Sequence, residues 1–463
     1  MLKRTVTISE SAGVRSLVFN GSPSVEGLRT VRHRLRHWTS NPLVRVVLLR
    51  SSESGGEFFA GGDAADDESS GASGRHGAMR ATQSTAHALA AFTSPTLAVL
   101  DGSARGVGAA FALHSPFGLA TPASALTFDA ERPLRAGASL ALPQLANNVG
   151  AWLALTGATI GAADLVHSGA ASHYTDSVDA SEFLETFESA LASIAPGDVA
   201  NSSVRFALDL AAAAEAPLPA TWLSDHAELV AKCFAPLAPK AKAVVAKKAA
   251  APQKQQQQRQ RQQKHPQKQQ QQRAAGQGAR PKSGGGSGKA AGAAGFSSST
   301  AEAAASASAE AAVVAAAEES ALQSTLVSVS AARDALRETK ERLEAVQGSA
   351  EEIEWARHSL DAIASSHNGN GAAQLVNAQL MMQSSRWAAD AIEMEHRVAQ
   401  RSVEGALGLA SESDEAAIRA LFAPLEEQHS LVFHGGRQPV GSKVTEEARA
   451  ATIAATAAEL RTF

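Results

Sequence analysis

The 463-residue chain contains a single cysteine, Cys233, so no disulfide can form within it. That fits a reducing compartment. Aromatic residues make up only 5%. No stretch approaches the eighteen or more apolar residues that a membrane-spanning helix needs, so no membrane partner is expected. The sequence also lacks a P-loop, a His-Glu-x-x-His pair, a paired-cysteine site and a nucleophile elbow, so no metal and no bound cofactor are expected. No internal repeat is visible.

Acidic residues are missing from one region altogether. Between Lys240 and Lys289 there are 13 Lys/Arg and no Asp/Glu. The remainder holds 29 basic against 46 acidic residues, or −17, although the whole chain is only −4. A concentrated basic segment on an acidic body favours a polyanion: nucleic acid, an anionic membrane or an acidic protein face. The same region carries glutamine tracts at Gln255–Gln258 and Gln269–Gln272 and a glycine run at Gly284–Gly286. It has almost no apolar surface to bury, so disorder is expected there. Without interleaved aromatics, any RNA contact by Lys240–Lys289 would be to phosphates; the alternative is a solvated linker.

What is present reads as an α/β unit over 1–235, a low-complexity basic, Gln- and Ala-rich insertion over 236–320, and a helical region over 321–463. Arg4–Ser9 and Val14–Phe19 alternate like strands, and a strand starting there leaves no room for an ordinary leader ahead of it. Val25–Trp38 has the spacing of a helix. Val44–Arg50 is a buried-strand candidate, Ser51–Gly77 a loop, Met79–Phe92 a helix and Thr96–Leu100 a strand. Gly102–Gly108 is a turn, and a helix follows from Ala109. Strand and helix alternate, which suggests an α/β class. Helical patterning continues over Leu322–Val346, Ile353–Ala364, Gln374–Val403 and Thr445–Leu460, and Ala301–Glu319 is Ala/Glu-rich. Trp222, Trp355 and Trp387 fall on helical faces as core residues.

Two glycine-rich segments carry the chemical signal. Glu57-Phe58-Phe59-Ala60-Gly61-Gly62-Asp63 follows a strand, and Leu100-Asp101-Gly102-Ser103-Ala104-Arg105-Gly106-Val107-Gly108 joins a strand to a helix. Small residues let the backbone approach a ligand and leave amides free to face an oxygen. Amides at a helix start also suit developing negative charge. Each segment alone could equally be a plain turn.

In this order and spacing the two segments resemble the oxyanion-hole segments of the crotonase (enoyl-CoA hydratase/isomerase) superfamily. Further stretches resemble its 3-hydroxyisobutyryl-CoA hydrolase branch: Leu153–Gly157, Gly169–Tyr174, Trp222–Phe234 and Glu393–Gln400. The resemblance covers roughly 4–235 and 322–425. It implies a crotonase-type spiral of ββα units followed by C-terminal helices. It also implies acyl-CoA as substrate or ligand, and a mitochondrial location. The implied oxyanion donors are the amides of Ala60 and Val107, with Gly61, Gly62, Asp63, Gly106 and Gly108 around them. Val107 departs from the family, which has three glycines there.

The acid–base positions depart further. The hydrolase branch has a glutamate and, about eight residues on, an aspartate. Ala130 and Arg135 fall at those places, and the segment between its anchors is about three residues short. Glu131, one position late, is the candidate catalytic carboxylate. Its alternative is a surface ion pair with Arg132 or Arg135. His173 reads as structural, and Asp63 as a loop cap. The resemblance therefore leaves two functions open. One is hydrolysis of a short branched 3-hydroxyacyl-CoA thioester. The other is a binding protein whose chemistry has decayed, similar in kind to the hydrolase-like members carried by some mitochondrial ribosomes.

Overall fold

Val46, Val47, Leu48 and Leu49 are all buried in one strand, as expected where both faces of a sheet are covered. A computed structural model of the chain describes residues 6–11, 13–39, 41–52, 55–59, 71–177, 180–194, 201–212, 218–238, 328–364, 372–383, 388–403, 415–423 and 431. The chain divides into two units, Met1–Pro239 with Val327–Phe463, and Lys240–Leu326. The second unit lies outside the described residues, as do the sequence-predicted segments Ala301–Glu319 and Thr445–Leu460 and residue Trp387.

Nine strands form two sheets among the described residues. β1 (Val6–Ser11), β2 (Val14–Phe19), β3 (Val46–Ser51), β4 (Thr96–Leu100), β6 (Phe117–Ala120) and β9 (His173–Tyr174) lie in the order β1-β2-β3-β4-β6-β9. Within this sheet β1 and β2 pair antiparallel and the other neighbours pair parallel. β5 (Ser103–Arg105), β7 (Ala125–Thr127) and β8 (Thr159–Gly161) make the smaller sheet. An isolated bridge between Phe58 and Ala104 extends that sheet toward β3.

Helices complete the repeating units. α1 (Val25–Thr39) follows β1 and β2, and α2 (Gly71–Ala90) follows β3 and Phe58. α3 (Val107–Leu113) follows β4 and β5, and α4 (Ala138–Ala141) follows β6 and β7. This is the expected spiral of ββα turns. α5 (Val149–Thr156), α6 (Ala162–Ser168), α7 (Ser181–Ser193), α8 (Asn201–Ala212), α9 (Trp222–Asp225) and α10 (Ala227–Cys233) come next. The outward side chains of the large sheet, Val46, Leu48, Leu97, Val99 and Leu119, pack under Phe183, Phe187, Val204 and Leu208 of α7 and α8.

The sequence reading needs four corrections. α2 begins at Gly71, inside the stretch read as loop. Its first residues are weak helix formers, so packing of Ala78, Met79 and Gln83 into the interior overrides propensity. The glycine turn at 102–108 contains β5, a strand too short for any period to reveal. α3 starts at Val107, not Ala109. Gln374–Val403 is two helices, α13 (Ala372–Met382) and α14 (Ala388–Val403). α11 (Val329–Glu344) and α12 (Ala350–Ala364) precede them, and α15 (Glu415–Leu421) follows.

The later helices belong to the same core as residues 6–238. Trp355 of α12 lies 5.2 Å from Trp222, 6.2 Å from Trp152 of α5 and 6.4 Å from Phe234, ring centre to ring centre. The Trp152 indole N–H donates to Ser359 Oγ at 3.3 Å. The short turn Ala235–Leu237 packs on α11, so the chain on either side of residues 239–327 meets in one place. Trp355→Ala should therefore destabilise the protein by about 3 kcal/mol, as large aromatic truncations do. The Trp355 indole nitrogen is buried with no hydrogen-bond partner, so Trp355→Phe should cost less than half as much. Urea denaturation midpoints of the two variants check both values.

Candidate functional site

The two glycine-rich segments lie against each other because two glycines leave no side chain between their backbones. Gly102 has φ +127, and a Cβ there would collide with the Gly56 carbonyl. A Cβ on Gly108 would sit 2.5 Å from the Phe58 carbonyl oxygen and 3.2 Å from the Phe59 Cβ. The Phe58 amide donates to Ser103 O at 2.8 Å. Phe59 holds a left-handed φ of 53. Its ring is fixed edge-on between Phe19 at 5.2 Å and Phe111 of α3 at 4.7 Å. The start of α3 thus rests on the residues immediately before Ala60.

Of the sequence-predicted donors, Ala60, Gly61, Gly62 and Asp63 lie outside the described residues. Gly106, Val107 and Gly108 lie at the start of α3. Gly106 has φ 49 and ψ −110, a conformation suited to glycine, and its amide donates to Thr127 O at 3.0 Å. Val107 is the first residue of α3, where an amide has no partner within the helix. Its side chain is buried.

Glu131 is exposed in the turn after Phe128. Its amide donates to Asp129 Oδ1 at 3.0 Å. Arg132 pairs with Asp129 at 3.2 Å rather than with Glu131. Ala130 is buried against Gly157. Arg135, at the place of the expected aspartate, is half-buried.

Buried polar side chains that the sequence reading did not single out tie down the backbone of this segment. The Leu134 amide donates to Asn377 Oδ1 at 2.9 Å, and Asn377 Nδ2 donates to Arg132 O at 3.0 Å. The Ala136 amide donates to Gln83 Oε1 at 3.1 Å. His114 Nε2 lies 2.7 Å from Ala136 O, which fixes the N–H on that nitrogen. Burial holds the His114 imidazole below its ordinary pKa, so it donates while neutral. Glu395 of α14 accepts from the Gly137 amide at 2.5 Å and the Ser139 amide at 2.7 Å, one on each oxygen. Ala136 and Gly137 take φ values of 57 and 77. That pair of left-handed residues leads into the two amides that Glu395 holds, while the Ala138 amide between them donates to Arg135 O at 3.1 Å.

Ser172, His173 and Asp209 form a second hydrogen-bonded chain. Ser172 Oγ is 2.8 Å from His173 Nδ1, and His173 Nε2 is 3.0 Å from Asp209 Oδ1. Ser172 Oγ is also bonded to both the amide and the carbonyl of Gly118. This chain braces β6 against the start of β9, and His173 is structural.

Glu395 gives the clamp a distinct pH signature. Burial pushes its pKa from 4.5 up to about 7, against the pull of the Ser139 and Gly137 donors. The folded chain therefore binds this proton more tightly than the unfolded chain, and stability falls as pH rises from about 4.5 through 7. In thermal melts from pH 5 to 8, Glu395→Gln should flatten that decline. Glu395→Ala leaves two buried amides without acceptors and should lose about 1–3 kcal/mol for each.

A family model for enoyl-CoA hydratase/isomerase matches residues 24–274. The small ribosomal subunit protein mS47 of Neurospora crassa is 30% identical over 210 residues, 42% of this chain and 38% of that protein. The Arabidopsis thaliana 3-hydroxyisobutyryl-CoA hydrolase-like protein 1, mitochondrial, is 28% identical over 185 residues, 36% of this chain and 45% of its own length. The chain thus spans less than half the length of these curated relatives. The crystal structure of an enoyl-CoA hydratase from Rhodobacter sphaeroides superposes with a TM-score of 0.55 at 16% identity, covering 93% of this chain and all of that one. Its identity is low enough that it speaks for the fold alone. The matched span exceeds half of the sequence, and the chain belongs to the enoyl-CoA hydratase/isomerase family.

Proposed function

We propose that this chain is a non-catalytic member of its family that serves as an RNA-associated component of a mitochondrial assembly such as the small ribosomal subunit. The observation that carries this reading is the segment 130–139. The resemblance puts the hydrolase carboxylates at Ala130 and Arg135. Ala130 has no titratable group, and Arg135 carries the wrong charge for a general base. Glu131, the neighbouring carboxylate, is exposed on the turn. The clamp of Gln83, His114, Asn377 and Glu395 holds that backbone in place, so a one-residue slip that would bring Glu131 inward breaks several buried hydrogen bonds at once. General acid–base catalysis needs a carboxylate within hydrogen-bond reach of the transferred proton.

The likeness to a ribosomal subunit protein and to mitochondrial hydrolases supports the location and the assembly. The basic stretch Lys240–Lys289 supplies positive charge for RNA. One observation favours a second reading, acyl-CoA thioester hydrolysis. The Gly102 and Gly108 approaches keep the start of α3 against Gly56, Phe58 and Phe59, and the resemblance puts a thioester oxygen between the Val107 amide and that of Ala60, the next residue in sequence. Acyl-CoA binding without turnover agrees with the first reading and not with the second.

The purified full chain should hydrolyse 3-hydroxyisobutyryl-CoA far below the ordinary enzyme range of about 1–10³ per second, and Glu131→Ala should change nothing. Each lost acid–base role costs about 10²–10⁴-fold. The chain should also co-sediment with mitochondrial small subunits at low salt. A turnover inside the enzyme range that Glu131→Ala abolishes would reverse the assignment in favour of the hydrolase.

A further inference from the structure

The basic residues of the folded core are not spread evenly over its acidic surface. α1 carries Arg29, Arg32, Arg34 and Arg36 against one carboxylate, Glu26. Leu28, Val31, Leu35 and Trp38 are buried, which fixes the opposite face toward solvent. Arg29 and Arg36 are exposed and Arg32, half-buried on the flank, stands between them, at steps of three and four residues. At about 1.5 Å rise per residue they span about 10 Å. α2 packs along α1 and contains no Asp or Glu. It brings Arg80 to the same ladder.

The pKa shifts of Arg32 and His87 reflect how closely these cations stand. Partial burial lowers the Arg32 pKa, and the charges of Arg36, Arg29 and Arg80 lower it further. Burial takes His87 of α2 down to about 4, with Arg36 the next cause and His114 after it. Arg29 pairs with Glu26 at 3.8 Å, between two exposed side chains. Like charges held together on rigid helices raise the energy of the free protein, and an anion that neutralises them relieves it.

We infer that the arginine face of α1, with Arg80 of α2 beside it, is a second RNA-binding surface that grips the phosphate backbone independently of Lys240–Lys289. The inference deepens the RNA-associated reading above and rests on it. Three arginines over about 10 Å meet about three phosphates of one strand. Guanidinium groups hold phosphate oxygens in pairs, which favours arginine over lysine at such a surface. A membrane fits poorly, because an interfacial helix needs a free apolar face and that of α1 is buried in the core. The one large aromatic of α1, Trp38, is buried, which leaves only the small imidazoles of His33 and His37 as exposed rings on this helix. Recognition is therefore of backbone, tolerant of sequence and suited to duplex RNA.

The test uses the full chain and a 20-base-pair RNA duplex, with affinity measured across a salt series. Combined Arg29→Gln, Arg32→Gln and Arg36→Gln should weaken binding at least ten-fold at low salt and make the log–log salt slope shallower by about two to three units. The same three sites changed to Lys should keep most of the slope, and melting temperatures of both variants should match the parent or exceed it. Deleting 240–289 should leave a residual affinity that the triple Gln variant removes. Excess coenzyme A, which also carries phosphates, should not displace the duplex. Phosphatidylserine vesicles should bind more weakly than RNA. The inference fails if the triple Gln variant binds as the parent does, if coenzyme A competes, or if vesicles bind more tightly than the duplex. It also fails if the parent chain binds no duplex at low salt. Loss of all RNA binding on deleting 240–289 alone would remove this surface and leave the RNA-associated reading standing. That reading has its own tests in turnover and co-sedimentation.

Discussion

A single carboxylate ties the two ends of this fold together. Glu395 comes from a helix 256 and 258 residues beyond the amides it accepts from, Ser139 and Gly137. Leading into those amides, Ala136 and Gly137 both adopt left-handed angles. An alanine at such an angle is strained, and its cost is offset because Gln83 and His114 hold its amide and carbonyl from opposite sides. Buried polar groups of this kind are costly when half satisfied and rigidifying when complete. The clamp therefore explains how a segment with a foreign set of side chains keeps a definite course.

Most of the fold was readable in the sequence because it depends on periodicity. Val14–Phe19 and Thr96–Leu100 were bounded correctly, since each is a strand of the large sheet with one or both faces buried. Trp222 and Trp355 were read as core residues; they meet in one aromatic cluster, each half-buried rather than fully enclosed. Where pattern gave way to tertiary contact, the reading failed. Gly71–Gly77 has no helical signature, and β5 has three residues.

The candidate site was legible only in part, for a similar reason. Gly102 and Gly108 announce close backbone approach, and the structure shows what they approach. Gln83, His114 and Asn377 gave no signal, because a buried glutamine or histidine looks like any other until its backbone partner is known. A net of −17 outside the basic segment describes the body as a whole, yet α1 gathers four arginines on fifteen residues. Surface potential follows from which face a residue occupies, and a chain-wide sum discards that information.

The arrangement of the aromatic cluster also sets an order of events during synthesis. Trp152 and Trp222 leave the ribosome well before Trp355, which lies 133 residues after Trp222. At about 5–20 residues per second, the wait is on the order of ten seconds. Throughout it the nascent chain presents an indole surface and the unclamped Gly137 and Ser139 amides to water. The Lys240–Lys289 stretch emerges within that interval and carries 13 like charges. The aromatic cluster and the Glu395 clamp close only once α12 and α14 have followed, so the core sets late in synthesis.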